Sequence, residues 1–228
     1  YSKSNGRPEM KNTFLKTILI VSIIIYSGHT VTAAILEPYS ANTRWLSYDG
    51  NPLVLSGNGL WILIPGNETD RNIVAHNTHC VNYGGNTNRT TIYSFCDDYT
   101  RGPWLRTGPG NSNDGGLKWN LDQWDPDYWT RANTYMQDCL NRGIFPVLQV
   151  FGEPYIEGAA GRWEHNPFNG DNNIISDFGI PTGQTYADTA DRFYNLSNTL
   201  LVSYLEALVT KAMDELGQYP IIWDIGNE

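Results

Sequence analysis

A chain of 228 residues has room for one sizeable domain or a substantial piece of one. Its hydrophobic fraction of 40% suffices for a core, its aromatic fraction of 13% is high, and its charged fraction of 17% is low. The formal net charge of −9 repels a phosphate backbone, so nucleic acid is excluded as an expected partner.

The N-terminal region reads as a targeting segment. Residues 1–9, YSKSNGRPE, precede the first Met and read as translated upstream sequence; residues 10–33 read as a signal peptide. Met10, Lys11 and Lys16 supply its charged start and Thr17–Tyr26 its apolar stretch, with Val31 and Ala33 at the small positions before cleavage. The apolar run is shorter than the about 20 residues of a membrane span. The expected product is therefore secreted, extracellular or periplasmic, begins near Ala34, and has no membrane partner after cleavage. That mature chain carries 11 basic and 23 acidic residues, net −12.

After this segment, RWLSYDGNPLVLSG predicts two short strands around an Asp49-Gly50 turn, with Leu53–Ser56 as the first buried strand. Thr90–Phe95 is the next β-rich run. The polar stretch from Asp97 to Gln123 reads as a long loop, a kind usually functional, in which Trp104 and Trp119 argue for order. Asp125-Pro126 then forms a cap and first turn, Trp129, Ala132, Met136, Cys139 and Leu140 follow at helical spacing, and Gly143 ends the helix. Ile144–Phe151 is a continuous apolar strand with Pro146 at its entrance. A second long polar loop runs from Gly152 to about Thr189; a helix carrying a stripe from Phe193 to Leu216 comes next, closed by Gly217; Ile221–Ile225 is the last strand. Repeated helix, short turn and buried strand, with the long loops after strands, predicts a parallel sheet and suits a (β/α)8 barrel whose C-terminal strand ends build the site.

Three cysteines make no disulfide framework. Cys139 falls on the apolar helix face; an oxidising compartment would permit a Cys80–Cys96 pair. His76 and His79 in HNTH lack the neighbours of a familiar zinc spacing, so no metal and no cofactor are expected.

YDGNPLVLSG, Arg89, WDPDYWTRANTYMQDCLNRGIFPVLQVF, HNPFNGDNN and above all IIWDIGNE resemble the N-terminal half of a clan A glycoside hydrolase, similar to the family 5 cellulase-like enzymes. The resemblance spans roughly Trp45 to Glu228. It implies a partial (β/α)8 barrel over residues 34–228, about its first four β/α units, and a carbohydrate substrate. Glu228 is then the general acid/base of a retaining double displacement, and Asn227 contacts the hydroxyl beside the anomeric carbon. Such hydrolysis needs two carboxyl groups about 5–5.5 Å apart. Neither Glu153 nor Glu157 matches the nucleophile's motif, which the resemblance places beyond Glu228, so residues 1–228 alone are expected to show no turnover while the complete product is a glycosidase.

Several residues carry two readings each. Arg89 is either a solvated charge or a substrate-binding residue orienting the carboxylates, and its NRT context is also a glycosylation sequon on Asn88, as are NET at Asn67 and NLS at Asn195. Trp61, Trp104, Trp119 and Trp163 either pin long loops or offer an indole face to a sugar; Trp129 and Trp223 fit packing. His165 and Asn166 either line the cleft or hold their loop together, with Asp97 and Asp98 as weaker candidates of that kind. A non-catalytic carbohydrate-binding protein, an apiosidase-like hydrolase or a lyase on the same scaffold are the alternatives.

Overall fold

The computed structural model of the chain describes residues 36–59, 64, 72–92, 101–152, 163–175, 178–180, 182 and 192–227. All belong to the compact unit Ala33–Glu228. The expected signal segment, Trp61, Cys96, Asp97, Asp98, Glu153, Glu157 and Glu228 lie outside the described residues, as does Asn67.

Strand β1 (Leu36–Pro38), β2 (Leu46–Tyr48) and β3 (Asn51–Leu53) form a small antiparallel sheet. Its tight turn is the expected one: Asp49 and Gly50 both take positive φ, 50° and 73°, which a two-residue hairpin turn demands. Leu53–Ser56 is not the first buried strand, however, because Leu53 ends the hairpin. The first parallel strand is β4 (Gly57–Gly59), a Gly-Asn-Gly stretch with no β-forming side chain to announce it. Backbone pairing makes it a strand, and a Cβ on Gly57 would lie 1.7 Å from the Thr87 carbonyl oxygen, so only glycine fits.

Helix α1 (Ile73–Asn82) follows, a helix the sequence reading did not anticipate. Asn72 caps it by accepting from the Ala75 N–H at 2.8 Å. His76 and His79 lie on this helix. Burial first, and then the neighbouring His79, hold the His76 pKa below its usual value. Strand β5 (Thr87–Thr91) begins three residues before the expected Thr90, and positions 93–100 lie outside the described residues.

The stretch expected as a loop contains a long antiparallel hairpin, β6 (Trp104–Asn111) with β7 (Leu117–Trp124). Its glycines masked an alternation in which Trp119 and Leu121 point inward and Asp122 outward. Arg106 locks the tip: its Nη2 lies 2.5 Å from Asp114 and its guanidinium carbon 4.0 Å from the Trp119 ring centre. Burial pushes the Asp114 carboxyl up, but hydrogen bonds from Arg106, Ser112 and the Gly116 N–H, with the Arg106 charge, outweigh it and hold the pKa down at about 2. A depressed carboxylate contributes stability above its ordinary pKa of 3.8 and loses it as pH falls through the folded value. Acid titration from about pH 4 to 2 should therefore loosen the hairpin. In an Asp114→Asn variant the indole fluorescence should be nearly flat across that window; an unchanged titration would refute the role given to this pair.

Helix α2 (Pro126–Arg142) starts and stops as its sequence signals say. Asp125 accepts from the Asp127 and Tyr128 N–H groups, and Gly143 takes the left-handed conformation at φ 70°. Strand β8 (Phe145–Gly152) is the expected apolar strand, with Pro146 second from its start. A single 3-10 turn, Trp163–His165, lies in the following segment. Helix α3 (Thr199–Leu216) begins six residues later than the stripe suggested, because Asn198 caps it by accepting from the Leu201 N–H. Leu196 and Leu200 are accordingly exposed, and Leu201, Leu208, Ala212 and Leu216 form the buried face. Strand β9 (Ile222–Asn227) ends the described chain.

Strands β4, β5, β8 and β9 form one parallel sheet in chain order. Parallel crossovers are right-handed as a rule, which in unbroken strand order puts the three described helices on the same face. Leu148 and Val150 supply apolar surface there, and Asn88 reaches α1, donating to Asn77 Oδ1 at 2.7 Å. Asn77 in turn donates to Asp138 of α2 at 3.0 Å. Cys80 and Cys139 are both buried free thiols, so the pairing of Cys80 considered above is not formed. At the opposite end, Tyr48 of the small sheet sets its ring edge-on to Phe145, 4.8 Å between centres, covering the N-terminal end of β8.

Candidate functional site

Alternation along the parallel strands decides which side chains face away from the helices. The register sets Arg89 beside Val147 and Ile222, and Thr91 beside Gln149 and Asp224. With Asn88, Leu148 and Val150 turned to the helices, Arg89, Thr91, Gln149 and Asp224 share the inner face. Thr91 and Gln149 are buried and Asp224 half-buried, so this face presents charged and amide groups where sheets buried on both sides normally carry aliphatics.

Arg89 crosses over β8 to reach β9. Its Nη2 and Nε both donate to Asp224 Oδ2, at 2.5 and 3.0 Å. The two side chains are 33% and 22% exposed, so the pair is neither dry nor fully solvated, and holds its geometry by two donors converging on one carboxylate oxygen rather than by burial. Gln149 between them is fully buried and donates to the Phe151 carbonyl at 2.9 Å. Asp224 and Gln149 were not singled out as site residues; the signal for Asp224 was a lone charge inside an otherwise apolar strand.

The same alternation separates Asn88 from Arg89. Asn88 is 0% exposed and hydrogen-bonded within the helix layer, which sends Arg89 to the inner face, where it is paired with Asp224. Asn227 closes β9, opposite Gly152 of β8. It lies three residues beyond Asp224, about 10 Å along an extended strand. Arg89 and Asp224 therefore form a charged layer beneath the strand ends, not part of the rim itself.

The remaining candidates stand elsewhere. Trp104 and Trp119, expected as sugar platforms, are each 1% exposed and offer no open ring face. They belong to an aromatic layer in which Phe168 sets edge-on contacts to Trp104 at 5.5 Å and Phe193 at 5.6 Å, and Trp163 meets Phe193 at 6.3 Å. The indoles are buried because the hairpin folds them inward against the loop after β8. Asn166 is likewise fully buried, accepting from the Phe168 N–H at 2.9 Å, so it holds the loop and does not line an open cleft. His165, in the 3-10 turn, is half-buried beside it. Asn172 stitches this loop to the hairpin, accepting from the Asn113 N–H and donating to the carbonyls of Glu164 and Asn166. Polar side chains stand in for secondary structure here, satisfying loop backbone that a buried segment must pair.

Solved structures of the same architecture fix the meaning of the sheet. Over 86% of its length the chain is similar to an endo-1,4-β-mannanase from Rhizomucor miehei, with TM-score 0.51 and 15% identity, covering 48% of that protein. It is similar over 86% to a glycoside hydrolase family 5 mannosidase from the same organism, at TM-score 0.53, 14% identity and 49% of that chain. A β-mannanase from the blue mussel Mytilus edulis gives TM-score 0.50, 16% identity, and coverage of 86% and 46%. The fold is a partial (β/α)8 barrel. The inner face carrying Arg89 and Asp224 is the barrel interior. The chain spans about half the length of these structures. No family model and no curated protein matches the sequence.

Proposed function

We propose that the protein is a secreted glycoside hydrolase acting by retaining double displacement, with Glu228 as general acid/base and Asn227 as a substrate contact. One observation carries this reading: Asn227 is the last residue of the fourth parallel strand, above the charged Arg89–Asp224 layer, and Glu228 follows it immediately. In barrels of this kind the C-terminal strand ends build the site. The fold alone does not decide among chemistries, so the argument rests on the residues and their place.

A general acid in that position has one requirement. It must stay protonated until the leaving oxygen departs, which a site with partial burial and neighbouring carboxylates favours. The second carboxyl of the mechanism is a separate residue about 5–5.5 Å away. Asp224 is committed to Arg89, and we assign that nucleophile to no described residue. We further propose that residues 1–228 tested alone give no turnover.

The mannan-directed names of the similar structures put β-1,4-mannan first in a substrate panel that also holds β-glucans and xylans. The test is proton NMR of the first product formed by the complete gene product. Retention of anomeric configuration supports the proposal. Inversion, an unsaturated lyase product, or binding without cleavage would each overturn it.

A further inference from the structure

We propose that Asn195 is an N-glycosylation site of this chain, and that the fold bars the same modification from Asn88. Both asparagines begin an Asn-X-Ser/Thr sequon, NLS and NRT, and sequence alone ranks them equally. The structure separates them. Asn88 is 0% exposed inside a strand, its amide nitrogen 2.7 Å from Asn77 Oδ1, and Thr90 of its sequon is 1% exposed. A glycan there would have to pass between β5, α1 and α2, where side chains are close-packed.

Asn195 sits instead in the turn leading into α3, and Asn195, Leu196 and Ser197 are all exposed. Its Oδ1 accepts from the Ser197 N–H at 3.1 Å, and its backbone is fixed by Asn195 N–H to Arg192 O and Asn198 N–H to Asn195 O. With the oxygen engaged and the residue exposed, no described residue accepts from the amide Nδ2. A second observation concerns the surroundings. Tyr194, Leu196 and Leu200 are exposed at 51%, 60% and 44%, an apolar group flanking the sequon. Exposed apolar groups of this kind are a solubility liability unless covered, and the apolar face of a pyranose covers them while its hydroxyls remain in water.

The reaction balances without any redox partner. The Nδ2 of Asn195 attacks the anomeric carbon of a lipid-linked oligosaccharyl diphosphate on a eukaryotic secretory transferase. The N–C bond forms as the C–O bond to the diphosphate breaks, the lipid diphosphate leaves, and the amide gives one proton to a base of the transferase. The proposal rests on the secretion reading only for how the native chain meets that transferase.

The experiment keeps the two readings apart. The full chain is expressed in a eukaryotic host with the host's leader fused ahead of Tyr1, so that entry does not depend on Thr17–Tyr26; the unfused chain, run beside it, tests the native leader. Glycopeptides of the secreted protein are mapped after peptide:N-glycosidase treatment, which converts a glycosylated Asn to Asp. The expected result is conversion at Asn195, none at Asn88, and loss of one glycan's mass in both Asn195→Gln and Ser197→Ala. An unmodified Asn195 in the leader-fused chain, or an occupied Asn88 in folded secreted protein, would overturn the proposal.

Discussion

Replacing Glu228 with Gln in the complete gene product should lower kcat/KM on a polysaccharide by about 10²- to 10⁴-fold, the usual contribution of a positioned general acid. Gln keeps the size and hydrogen-bonding ability of the side chain but has no proton to give the departing glycosidic oxygen. The loss should depend on the leaving group. An aryl glycoside with an acidic phenol needs little protonation, so its first step is spared, and the glycosyl-enzyme then accumulates because water lacks its base. Added azide, a nucleophile that needs no base, should restore turnover and yield a glycosyl azide of retained configuration. A variant keeping more than about a tenth of wild-type activity on polysaccharide would remove Glu228 from this role.

The second large effect is on stability. Phe168→Ala should cost about 3–5 kcal/mol, the range for truncating a buried aromatic. Phe168 is 0% exposed and meets Trp104, Phe178 and Phe193 with ring centres 5.5, 5.8 and 5.6 Å away, so its removal opens a hole shared by the hairpin, the loop after β8 and the segment before α3. No neighbour can close that hole without breaking another ring contact, because the three rings are anchored on different segments. Against a total stability of about 5–15 kcal/mol this is a large share. Urea denaturation followed by near-ultraviolet circular dichroism measures it, with Phe168→Leu as the milder control. A cost near 1 kcal/mol for the alanine variant would show that the aromatic layer is not a packed unit.

A high Trp and Tyr content suggested sugar platforms, yet Trp104, Trp119 and Trp163 are packed at 1%, 1% and 0% exposure. They hold in place two long insertions that a standard barrel crossover does not contain. Any platform aromatic of the cleft must therefore come from residues other than these three.

Sequence by itself determined the parts governed by neighbours along the chain. The Asp49-Gly50 turn, the capped helix from Pro126 to Arg142 with its Gly143 stop, and the apolar strands around Leu148 and Trp223 were legible because caps, positive-φ residues and apolar runs act within a few positions. The Asn227-Glu228 pair could be placed at a strand end for the same reason. Only the tertiary structure decided the rest. Gly57–Gly59 is a strand because β5 supplies its pairing, and the 104–124 hairpin is ordered because its tryptophans find partners from the loop after β8. Arg89 meets Asp224 across 135 positions of chain. Asn88 is buried and Asn195 exposed although their sequons read alike. Each of these depends on which distant segment lies alongside, a property of the packed barrel that no local window of sequence contains.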